Sequence, residues 1–126
     1  MKMNMDEKRR NKLLGIDPKN GYDIYAYEGL DAMTLRALIN EGYADPEEQQ
    51  NDAPPISEFL AFLEQNPRFR AHGYAVTPER DNYRVSIEGV SLAYKAQDDE
   101  MMAFVRMFRH ADEFEIGPNG LYCWYD

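Results

Sequence analysis

From residue 70 to residue 88 hydrophobic positions alternate with small or polar ones, and from residue 98 to residue 110 they recur at intervals of three and four. The first spacing is that of a strand with one buried face, the second that of a helix. Residues 70–76 and 83–88 flank the turn-rich stretch TPERDN and predict an antiparallel hairpin. Pairing Val76 with Tyr83 sets Tyr74 opposite Val85 and His72 opposite Ile87 on an apolar face. Ala71, Gly73 and Ala75 then fall opposite Glu88, Ser86 and Arg84 on the other. In this register His72 points inward. Gly89 interrupts the alternation before VSLAY, as a bulge or a short further strand would. In the helix predicted over 98–110, Met101, Phe104, Val105 and Phe108 share a face. Asp98, Asp99 and Glu100 stand at its start and Arg106, Arg109 and His110 near its end, where the macrodipole favours them. A last hairpin turns at residues 117–120. Pairing Ile116 with Leu121 puts Phe114 and Cys123 on a buried face, with Glu113 and Glu115 opposite Trp124 and Tyr122 on the other.

The N-terminal half is read mainly from its caps. Asp31 serves as N-cap, Leu30 and Leu35 as a hydrophobic staple and Gly42 as the residue past the C-terminus of a helix over 32–41. Ile56, Phe59, Leu60 and Leu63 predict a second helix, ended by Pro67 and antiparallel to the first. Between them, residues 43–55 form an acidic connection in which Asp45, Pro46 and Glu48 fit one helical turn. Residues 22–27 (YDIYAY) carry aromatics on both alternating sets, so the period leaves a strand there undecided. Residues 4–14 read as a short charged helix or arm, followed by turn signals at Asp17-Pro18 and Asn20-Gly21. Together these elements predict an α+β two-layer sandwich, an antiparallel sheet of about four strands with helices packed on one face. Residues 1–20 are expected as a basic N-terminal arm and residues 21–126 as a single domain.

Charge changes this picture by singling out a segment. Residues 21–66 hold ten carboxylates against one base, Arg36, and so carry −9, the formal net charge of the whole chain; the first twenty residues are +3 and residues 67–126 are −3. Such a field repels nucleic acid and anionic lipid and attracts basic surfaces. The four bases Lys8, Arg9, Arg10 and Lys12 on the arm read as a solvated face, and no nucleic-acid partner is expected. With 126 residues, 44% of them hydrophobic, the chain has enough apolar content for one core without a staple. The single cysteine, Cys123, excludes an intramolecular disulfide. No stretch reads as a secretory signal or a membrane span, so a cytoplasmic location and no membrane partner are expected.

Candidate chemistry is sparse. His72 reads as a hydrogen-bonded structural histidine and His110 as a C-terminal dipole partner. With Asp112 and Glu113, His110 makes an H-x-D-E string that lacks the second histidine of a zinc helix. Cys123, opposite Phe114, reads as an inert buried thiol. No glycine-rich phosphate cradle, nucleophile elbow or calcium loop is present. These readings predict no catalytic residue, no metal and no cofactor. Nine tyrosines and one tryptophan are more than a small core needs, and aromatics of this kind are enriched at interfaces. The expectation is therefore a non-enzymatic interaction or regulatory module that binds a basic protein. Its contacts would be Tyr43, Asp45, Glu47, Glu48 and Asp52 of the acidic loop, with Tyr122 and Trp124 of the sheet. A small-molecule binder or enzyme with a pocket between sheet and helices is the alternative.

Overall fold

The computed structural model describes residues 2–19 and 22–126; the expected Asn20-Gly21 turn lies outside them. The element order is α1 (Glu7–Leu14), β1 (Ile24–Leu30), α2 (Ala32–Asn40), α3 (Ile56–Gln65), β2 (Arg70–Val76), β3 (Arg84–Leu92), α4 (Asp98–Phe108), β4 (Glu113–Gly117) and β5 (Gly120–Trp124). The strands form one antiparallel sheet in the order β1-β2-β3-β5-β4. The fold is α+β, with five strands where about four were expected. The additional strand is β1, the segment whose period was undecided.

Local chemistry sets the helix ends. Asp31 Oδ1 accepts from the Thr34 N–H at 2.8 Å, and Gly42 takes φ +85° just beyond α2. Leu30 and Leu35 are both buried, as a staple requires. In α4, Glu100 Oε1 accepts from the Gln97 N–H at 2.9 Å, closing the first turn. Residues 45–48 make a single hydrogen-bonded turn, Glu48 N–H to Asp45 O at 3.0 Å, and no helix.

The core fills from phenylalanines. Phe59 of α3 stacks on Phe108 of α4, Phe62 meets Phe108 and Phe69 edge-on, and Phe104 stacks on Phe114 of β4. Phe62, a position the sequence spacing passes over, is buried, whereas Leu60 lies at the margin. The sheet meets these rings with Ala71, Ala75, Val85, Ile87 and Val90. This corrects the register of the β2-β3 hairpin, which pairs Val76 with Arg84, Ala75 with Val85 and Gly73 with Ile87. The physical reason is volume: small β2 residues leave room for rings arriving from the helices, so the face of alanines is the core face. Past Gly73 the register shifts, Glu88 is the extra residue of a bulge, and His72 pairs with Gly89. His72 and Tyr74 therefore lie on the face of the sheet away from the helices, not on the inward face.

The N-terminal segment is packed against the rest. The Asn4 N–H donates to Gly42 O at 2.9 Å, Arg9 pairs with Glu41 at 3.1 Å, and Leu14 joins the core. Arg10 is fully buried. Its Nη1 donates to Val76 O at 2.6 Å, Nε and Nη2 reach Asn11 Oδ1, and the guanidinium lies 4.8 Å over the Tyr83 ring. The solvated basic face expected here thus loses Arg10 to the interior.

Candidate functional site

The outer face of the sheet is built around His72. Its ring crosses β3 at Gly89, where no side chain stands in the way, and Nε2 meets Cys123 O on β5 at 3.0 Å. Cys123 separates Tyr122 from Trp124, and both flank the imidazole. Each ring centroid is 5.2 Å from that of His72, with interplanar angles of 15° and 8°. Tyr74, two residues along β2, meets Trp124 edge-on at 5.7 Å. Because a carbonyl can only accept, Nε2 carries the proton and Nδ1 of the neutral ring is an acceptor. Burial holds the His72 pKa below the usual histidine range, against smaller upward contributions from the Cys123 carbonyl and Glu28. The ring is therefore neutral at physiological pH and brings no positive charge to this face.

Carboxylates frame the stack. In the β4-β5 hairpin, Glu113 pairs with Trp124 and Glu115 with Tyr122, as the turn at residues 117–120 predicts. Glu113 and Glu115 are exposed, and among the described residues neither meets a base. On the other side a groove of about 630 Å³ runs from His72, Ser91, Tyr122 and Trp124 to β1 and the segment after α1. Its lining includes Leu14 and Ile16, together with the exposed carboxylates Asp17 and Glu28. No Lys or Arg lines it. The groove thus joins the outer-face rings His72, Tyr122 and Trp124 to Leu14 and Tyr27, which also belong to the core.

The acidic loop is less available than its composition implied. Tyr43 is 1% exposed, so it does not share a surface with the loop carboxylates. The reversal at Gly42 turns Tyr43 and Ala44 back under α2, where both backbone N–H groups donate to Leu38 O. Asp45 accepts the Glu47 N–H within its own turn, and half-buried Glu48 faces Arg84 at 3.8 Å. Glu47 and Asp52 are exposed. The loop touches the end of β5 through Asn51 Nδ2, which donates to Tyr125 O at 3.3 Å, but only the pair Tyr122–Trp124 gathers further rings around it.

Three partners escaped the sequence reading: His72 as the centre of the stack, Glu28 and Asp17. The available signal was Gly89, since a glycine inside a strand marks a close approach by another group. Cys123 itself points to the core, and burial pushes its thiol up to about 12. Among the described residues no group of three or more metal-ligating side chains converges, and no helix is long and apolar enough to cross a membrane. Set against known protein families, curated proteins and solved structures, the chain matches none.

Proposed function

We propose that this protein is a non-enzymatic binding module that takes a basic protein partner on the outer face of its sheet. The observation that carries the proposal is the His72–Tyr122–Trp124 stack framed by Glu28, Glu113 and Glu115. Partly exposed rings beside unpaired carboxylates suit cationic side chains through area burial, cation–π attraction and charge together. The same carboxylates oppose a phosphate backbone, so nucleic acid is not the partner. The lone unpaired thiol fits a reducing compartment, and we assign the protein to the cytoplasm as part of this reading.

The acidic loop has a lesser part. Glu47 and Asp52 add to the long-range field that speeds encounter, while the rings hold the complex. The test is capture of partners from native lysate with three forms of the protein. The wild type and a Glu47→Lys/Asp52→Lys form are expected to retain the same basic protein, the latter with slower association. A Tyr122→Ala/Trp124→Ala form, checked for its fold by circular dichroism, is expected to lose it. Retention by the ring variant together with loss by the loop variant would move the binding surface to the loop.

A further inference from the structure

The groove beside His72 is an acceptor-rich space. Asp17 and Glu28 are exposed carboxylates that make no ion pair or side-chain hydrogen bond among the described residues. The His72 side chain is 7% exposed and uses only Nε2, towards Cys123 O. Its Nδ1, an acceptor in this tautomer, has no partner among the described residues although the ring lines the groove. Nδ1 is not among the fully enclosed unpartnered atoms, so water can reach it and a bound donor can take the place of that water. The complementary ligand has donors only, a flat face to lie on aromatic rings and a positive charge. A guanidinium meets all three requirements, with five N–H groups in a planar fork and weak hydration. An ammonium offers the charge without the plane.

Resting on the proposed function, we infer that the groove receives one arginine side chain of the partner, its guanidinium lying against the partly exposed Trp124 ring and donating to Asp17, Glu28 and His72 Nδ1. Neutral His72 acts here as a positioning residue for the rings and as an acceptor for the ligand. Glu113 and Glu115 lie beyond the groove lining and attract the rest of the partner.

Trp124 is the only tryptophan, so indole emission reports on this site alone. The probe is Nα-acetyl-argininamide, with its lysine and citrulline counterparts, titrated at constant ionic strength. Arginine is expected to give a saturable change, lysine a weaker one, and citrulline, which keeps the shape without the charge, none. Asp17→Asn/Glu28→Gln, which removes no side-chain hydrogen bond or ion pair among the described residues, is expected to weaken arginine binding by about fivefold, the upper end of what exposed charge pairs contribute. Equal responses to arginine and citrulline, no saturable response to arginine, or an unchanged arginine affinity in the Asp17/Glu28 variant would each overturn the inference. If that happens while capture of the basic protein still depends on Tyr122 and Trp124, the arginine subsite is wrong and the binding face stands. If capture is also independent of those rings, both are wrong.

Discussion

Replacing Gly89 by alanine tests the crossing on which the site is built. A Cβ there would lie 2.0 Å from Cys123 O, 2.7 Å from His72 Nε2 and 2.8 Å from the Cys123 carbonyl carbon. Two of these atoms are backbone, so β5 has to recede by about 1 Å to restore van der Waals distance. In an unobstructed strand the same change stabilises by about 0.5–1 kcal/mol, because alanine loses less chain entropy. Here overpacking costs about 1–3 kcal/mol, and losing the His72–Cys123 hydrogen bond adds about 1 kcal/mol. The clash outweighs the entropy gain, and the net destabilisation is about 1–3.5 kcal/mol. At roughly 4 °C per kcal/mol for a domain of this size, Tm falls by about 4–14 °C. Gly117→Ala is the control, since its Cβ meets only Gly120 O at 3.6 Å. Thermal melts by circular dichroism read both, and Trp124 emission reports the loosened stack. A Gly89→Ala protein as stable as the control would refute the crossing of His72 over β3.

Glu88 is 5% exposed, and burial holds its carboxyl above the usual glutamate range, against smaller downward pulls from Ser86 and Arg84. The folded state then binds this proton more tightly than the unfolded one, so stability falls as pH rises through the raised pKa. Glu88→Gln keeps an acceptor for the Ser86 hydroxyl and is expected to raise Tm at neutral pH while flattening the acid-range slope; an unchanged pH profile counts against it. Glu100 has the opposite sign. Its two bonds from Arg68, at 2.9 and 2.5 Å, hold its carboxyl below the usual range. That contribution is present above the ordinary glutamate pKa and is lost as pH falls through the depressed one. Glu100→Gln should therefore cost about 1–2 kcal/mol at neutral pH in urea melts, through the weakened ion pair and helix cap, and lose that deficit in acid. Arg10→Lys should destabilise by about 1–3 kcal/mol, because an ammonium cannot serve Val76 O, Asn11 and the Tyr83 face together; parity with wild type in the same melts would contradict its buried role. Cys123 should react with a thiol reagent only at the rate of unfolding, and rapid labelling of the native protein would show β5 turned the other way.

Much of the fold was legible wherever a local signal and the global packing agree. Asp31 and Gly42 bound α2 because capping depends on neighbours in sequence. The β4-β5 register follows from its turn, which ties Ile116 to Leu121 directly. The β2-β3 hairpin lacked such a tie. Its longer loop leaves the register to side-chain volume, and volume is set by phenylalanines of α3 and α4, outside the hairpin. A bulge at Glu88 then moves His72 opposite Gly89, a shift that alternation cannot display. Arg10 was unreadable for a similar reason, because its partners Val76 and Tyr83 lie far along the chain. Of the candidate site, Tyr122 and Trp124 were found through the hairpin. His72 was placed on the wrong face, and Tyr43 was read from its acidic neighbours although the αL turn at Gly42 sends it inward.

The most direct measurement is a map of amide and indole chemical shifts in the ¹⁵N-labelled protein as a short arginine-rich peptide is added. The expected shifts cluster at His72, Ser91, Tyr122 and the Trp124 indole, extend to Asp17 and Glu28, and fade as salt shortens the Debye length from about 10 Å at 0.1 M to about 3 Å at 1 M. Shifts confined to Glu47–Asp52, or spread evenly over every exposed carboxylate with the Trp124 indole unmoved, would contradict a binding face on the outer side of the sheet.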